Sequence, residues 1–153
     1  MKSILTILTL LAICSFSYGQ KAMTFTEART QNIMNSAFDS IYKSAIHVDT
    51  SLAVFKTNQE EFAASYQKML QDFGQFLKKD SFIWEKPTRG FNRIYFNKDG
   101  GIDYFLFSFR PNQLTVEQEA KFKELLNKFI QDYKLPLSAK TGFAQCSPVV
   151  YKP

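Results

Sequence analysis

The stretch "FNRIYFNKDGGIDYFLFSFR", Phe91 to Arg110, gathers seven aromatic residues around one turn. It predicts two strands, Phe91 to Phe96 and Ile102 to Phe109, joined by "NKDGG", whose Asp99-Gly100 step supplies the positive φ that a tight hairpin needs. A strand with one solvated face needs apolar side chains only at alternate positions, yet Tyr104 to Phe107 run without a break. Unbroken apolar runs mark strands covered on both faces. On strict alternation one face of the second strand carries Ile102, Tyr104 and Leu106, and the other Phe105, Phe107 and Phe109. The fold must cover both faces, or leave one aromatic face open as a groove for a peptide, a lipid or a partner protein.

The covers are sought on either side of the hairpin. From Thr26, the positions Ile33, Met34, Ala37, Phe38, Ile41, Tyr42 and Ala45 fall three or four apart and predict a helix ending near Ile46. "HVDTS" breaks it. A second helix opens on Thr57 and Glu60 at capping-box spacing and carries the stripe Phe62, Tyr66, Met69, Leu70, Phe73, Phe76 and Leu77. Gly74 lies inside that stripe; since glycine costs ~1 kcal/mol relative to alanine in a helix, it points to a close crossing. "SFIWE" alternates Phe82 and Trp84 and predicts a short strand, followed by a turn at "KPTRG". After Pro111 stops the hairpin, Thr115 and Gln118 form another capping box and open a helix to about Tyr133, with Phe122, Leu125, Leu126, Phe129 and Ile130 on its stripe. Phe143 to Tyr151 reads as a closing strand in which Pro148 suits an edge position or a bulge.

The expected order is ααβββαβ. It makes one α+β domain over residues 20–153, helical over 24–79 and sheet plus helix over 81–153, around a mainly antiparallel sheet of three or four strands. The last helix covers one sheet face and the N-terminal helices the other.

The first residues, "MKSILTILTLLAICSFSYGQ", read as an export signal: Lys2, an apolar run from Ile4 to Ile13, and small residues at Ser17 and Gly19 for cleavage before Gln20. The run is short of the ~20 residues needed to span a bilayer. Lipidation at Cys14 is disfavoured, because Ile13 stands where the lipobox needs a small side chain. The expected location is therefore the periplasm or the exterior. The formal charge of +5 is spread without basic runs, so a nucleic-acid partner is not expected; a loose attraction to an anionic membrane surface is the most it implies. Cleavage leaves Cys146 as the sole cysteine, which excludes an internal disulfide and suggests a buried, inert thiol.

Catalytic and metal chemistry finds little footing. His47 is the single histidine, which excludes two-histidine zinc motifs, and a Cys146–His47 dyad lacks any cysteine-hydrolase signature around it. Asn97, Asp99 and Asp103 echo part of a calcium loop, but Ser108 stands where that loop needs a bidentate glutamate. Gly100-Gly101 lacks the context of a phosphate cradle, and Glu60-Glu61 point apart on their helix. No cofactor and no enzymatic activity are expected.

From Phe91 to Tyr151 the chain resembles the C-terminal domain of TonB-type envelope proteins. Asp99-Gly100 in a hairpin turn, Tyr133 and Pro136 after a helix, Gly142, and Pro148 to Tyr151 in a closing strand match that pattern in order. The resemblance implies capture of an extended peptide by an exposed edge strand, here Phe143 to Tyr151. It does not extend to the rest of the chain, where an expected cleavable signal and two helices replace the TonB anchor and proline-rich spacer. The expectation is a non-enzymatic exported binding module that holds an envelope protein or peptide through Phe105, Phe107, Phe109, Phe143, Val149 and Tyr151. The alternatives are a carrier of a small apolar ligand and, last, an enzyme using Cys146.

Overall fold

The computed structural model describes residues 19–153, so the expected export signal lies outside the described residues. The fold is α+β. A five-stranded mixed sheet has the order β1-β4-β3-β5-β2. Its strands are β1 (Lys21–Thr24), β2 (Tyr42–Ser44), β3 (Thr88–Phe96), β4 (Ile102–Phe109) and β5 (Gly142–Tyr151), and its helices α1 (Phe25–Thr30), α2 (Ser36–Ile41), α3 (Gln59–Lys79) and α4 (Val116–Asp132). A 3-10 turn covers Thr50–Leu52.

The central hairpin forms as its sequence predicts, and β3 starts earlier, taking in Thr88 to Gly90 from the expected turn. β3 pairs antiparallel with both β4 and β5, whereas β1 and β2 add parallel strands at the two edges. The sheet is thus larger and less antiparallel than expected. Of the extra strands, β2 comes from the segment expected to be one helix and β1 precedes that segment. Asn32 takes a left-handed φ of 56°, and Asn35 caps a new helix by accepting from the Phe38 N–H, so the stripe is cut into α1 and α2. β1 leads into α1 through a capping box between Thr24 and Glu27.

At the other termini, α4 carries its expected box: the Gln118 N–H donates to Thr115 Oγ1 at 3.1 Å and the Thr115 N–H to Gln118 Oε1 at 2.9 Å. The box expected at Thr57 and Glu60 does not form; Asn58 is the cap residue of α3 and makes no side-chain cap bond. "SFIWE" is not a strand. Its alternation nevertheless survives, because Phe82 and Trp84 are buried while Ile83 is exposed, in an extended segment without a strand partner.

Both long helices lie on the same sheet face. Phe62, Tyr66, Met69, Phe73 and Leu77 of α3 and Phe122, Leu125, Leu126 and Ile130 of α4 meet Ile94, Phe96, Phe105, Phe107 and Phe143 of the sheet. The opposite face is covered by the short helices alone: Ala28, Ile33, Met34 and Phe38 pack on Tyr95, Leu106 and Ala144. Strict alternation on β4 fails at one point. Tyr95 pairs with Tyr104 and Phe96 with Ile102, so Asp103 is an extra residue in a bulge. The bulge moves Ile102 onto the face of Phe105 and Phe107.

Burial of the tyrosines has a measurable consequence. Burial raises the Tyr66 and Tyr133 phenols to about 12 and raises Tyr151 further. An unfolded phenol ionises near ~10, so above that pH the unfolded chain holds fewer protons than the folded one. Stability should therefore be level below pH ~10 and fall as pH rises, with Tyr66 and Tyr151 each contributing ~1.4 kcal/mol per pH unit. Urea midpoints measured from pH 9 to 11.5 test this: the decline should be shallower in Tyr151→Phe, and equal slopes would refute it.

Candidate functional site

The residues expected to touch a partner mostly face inward. Phe105, Phe107 and Phe143 are wholly buried and Tyr151 nearly so, while Phe109 and Val149 are half-buried. Tyr151 lies flat on Trp84, ring centroids 4.5 Å apart and planes 8° from parallel. These side chains build the core, so the aromatic face of β4 is not an open groove. What remains accessible is the backbone of β5 and the surfaces on either side of it.

β5 has β3 on one flank and β2 on the other, but β2 reaches only from Gly142 to Ala144. Beyond Ser44 the chain turns away, and the Ala45 N–H donates to the Ala144 carbonyl at 2.9 Å. That bond fixes the parity of β5: even-numbered residues direct their backbone groups away from β3. From Cys146 to Val150 the sheet therefore has an uncovered edge. Pro148 contributes a carbonyl and no N–H, which blunts the edge against indiscriminate pairing. The Gln145 side chain donates to the Cys146 carbonyl at 2.8 Å. The Cys146 N–H, the Pro148 carbonyl and both backbone groups of Val150 are left facing outward. The other edges are guarded. The Ala22 N–H on β1 donates to Asn127 Oδ1 of α4 at 2.8 Å, and Val54 and Phe55 donate to Ser44 and Ala45 beyond β2.

A groove of about 670 Å³ runs beside this edge, between α3, residues 81–84 and the end of β5. Leu70, Phe82, Trp84 and Tyr151 make its apolar floor, with Lys78 and Lys152 at the rim. Gly74 faces the groove: a Cβ built there meets no atom within 4 Å, so the expected close crossing is absent. Tyr66 ties α3 to β5 through a 2.7 Å hydrogen bond between its hydroxyl and Ser147 Oγ. On the other side of the edge, where Phe25 of α1 meets Phe91 with ring centroids 6.1 Å apart, Phe91 is still 41% and Val150 48% exposed, and a smaller cavity of about 370 Å³ lies between Arg89 and Arg110.

Cys146 is exposed on this same edge, contrary to the expectation of a buried thiol. Its local desolvation still raises the thiol pKa, against a smaller lowering by Arg93, so the thiolate is not favoured. His47 is held by its own loop, its Nδ1 accepting from the Asp49 N–H at 3.0 Å, and makes no bond to Cys146. In the turn, Asn97 Oδ1 accepts from the Asp99 and Gly101 N–H groups at 3.0 Å each, and Tyr42 donates to Asp103 at 2.9 Å. Those oxygens serve the turn, and among the described residues no three His, Cys, Asp or Glu side chains gather as a metal site. No described helix is long and apolar enough to cross a membrane.

Sequence reasoning found β5 and missed the groove, since Gly74, Ile83 and Lys152 carry no motif. The available signal was the break in the apolar stripe at Gly74, read as a crossing. Comparison of the chain with models of protein families, with curated proteins and with solved structures returns no match.

Proposed function

We propose that the protein is a non-enzymatic binding module of the cell envelope, exported by its N-terminal signal, that holds an extended segment of a protein or peptide along β5. The observation that carries this reading is the uncovered edge from Cys146 to Val150 beside a groove with an apolar floor. Strand addition gives affinity through the main chain and specificity through pockets for alternate side chains, and this edge offers both. The likeness of Phe91 to Tyr151 to TonB-type C-terminal domains supports the same mode. Energy transduction is not part of the proposal.

A photo-crosslinking residue at Ile83, which is 72% exposed at the groove rim, tests it in cells; Val116, 82% exposed at the start of α4, is the control position. A defined adduct should form from Ile83 alone and disappear in Gly74→Trp, whose side chain fills the groove. Gly74→Trp should fold normally, because that position is open and tryptophan favours the helix more than glycine does. Equal adducts from both positions, or adducts that survive Gly74→Trp, would overturn the reading. The groove's apolar floor also supports a second reading, a carrier of a small apolar ligand. Native mass spectrometry separates the two, since a carrier retains a bound hydrophobe of fixed mass and a peptide module does not.

A further inference from the structure

We propose that the segment captured along β5 is acidic, an extended peptide whose side chains alternate between apolar residues and carboxylates. The inference rests on the strand-capture reading and adds the chemical class of the partner. A strand laid against Cys146 to Val150 would send alternate side chains to the two sides of the sheet. On one side they meet the groove, with Lys78 and Lys152 at its rim; on the other they meet the patch of Phe91, Pro148 and Val150 between Arg89 and Arg110. The linings of these two depressions contain four cationic residues and no aspartate or glutamate.

Five cations elsewhere meet acids: Lys68 pairs with Asp72, Lys123 with Glu27, Lys121 and Lys128 with Glu124, and Arg93 with Asp39. Lys78, Lys152, Arg89 and Arg110 take part in none of the ion pairs among the described residues. Glu85, next to the groove in sequence, accepts from the Gln118 side chain of α4 at 3.4 Å. Four unpaired cations flanking one uncovered edge would repel a basic strand and attract an acidic one, which sets selectivity and association rate more than raw affinity. The apolar residues at the centre of both sides provide desolvated contact for the alternate positions.

The test is a selection from a random twelve-residue peptide library displayed on phage, panned against the purified chain. Enriched sequences should carry Asp or Glu at alternating positions. A synthetic copy of the strongest should lose at least tenfold in affinity when its acids become amides, and as much against the charge-reversed chain carrying Arg89→Glu, Arg110→Glu, Lys78→Glu and Lys152→Glu. All four positions are exposed, and circular dichroism checks that the variant is folded. Binding should also weaken between 50 and 300 mM salt. N-methylation of alternate peptide residues separates this inference from the reading beneath it. Enriched peptides that are neutral or basic, yet lose binding on N-methylation, overturn the acidic partner and leave strand capture standing. Acidic peptides indifferent to N-methylation in either register overturn strand capture and this inference with it. No enrichment, with the chain binding phosphatidylglycerol vesicles instead, overturns both and makes the cationic edge a membrane-contacting surface.

Discussion

Replacing Phe122 by alanine is expected to lower the unfolding free energy by about 3–5 kcal/mol, the range for a buried phenylalanine in a packed core. Phe122 is the residue on which four separate segments converge. Its ring lies 5.1 Å from Phe107 and 5.0 Å from Phe109 of β4, 5.4 Å from Phe73 of α3, 5.8 Å from Trp84, and 5.6 Å from Tyr151 of β5. Edge-to-face geometry predominates in these contacts, and each such pair adds to simple area burial. The cavity left by alanine would be walled by rigid rings on strands and a long helix, so it could not collapse cheaply. A domain of this size has about 5–15 kcal/mol of stability in total, so the loss removes a large share of the margin and the variant should unfold at a markedly lower urea concentration. Urea unfolding followed by Trp84 fluorescence measures the change. A loss below ~1 kcal/mol would mean that Phe122 is not the hub described here.

The elements around that hub are the ones visible in the sequence, and the reason is their range. α3, α4 and the hairpin each declare themselves through periodicity within twenty residues or so, and the Thr115–Gln118 box marks its own helix. β1 and β2 could not be read in this way. They are four and three residues long, and they pair with Tyr104–Phe107 and Gly142–Ala144, far along the chain. Tyr42 of β2 also fits a helical stripe, and only the left-handed Asn32 and the Asn35 cap tell the chain to break there. One local sign was present and unused: Thr24 and Glu27 are a capping box that starts a helix where a longer stripe was already assigned.

The site was less legible than the fold. An uncovered edge is a property of two strands of unequal length, and the end of β2 at Ser44 is set by long-range contacts. The aromatic excess, which suggested an open face, reports a core in which rings fill space between helices and sheet. Pro148 was the useful clue, since a residue without an N–H can lie in β5 only with that side unpaired.

The second large effect is expected at Gly100, where alanine should cost roughly 2–4 kcal/mol from backbone strain and overpacking. Gly100 has a φ of +86°, which disfavours any residue with a Cβ. Space is also lacking: a Cβ there would lie 2.6 Å from the carbonyl oxygens of Leu135 and Leu137, both main chain. Those carbonyls cannot swing aside alone. The Leu135 N–H donates to the Gly100 carbonyl at 3.0 Å and the Ala139 N–H to the Lys98 carbonyl at 2.7 Å, so the turn and the segment after α4 are tied together. That segment leads straight into β5, and moving it would shift the strand whose edge is proposed to bind. The contrast is Gly74→Ala, which meets nothing within 4 Å in an ordinary helical position and should stabilise by ~1 kcal/mol. Two glycines, one substitution and opposite signs make the comparison robust to changes in the unfolded chain, because both replacements restrict it similarly. Equal urea midpoints for Gly100→Ala and the parent would mean that the turn can detach from residues 135–139. The hairpin would then be free of the path into β5, and the rigid edge on which strand capture depends would lose its anchor.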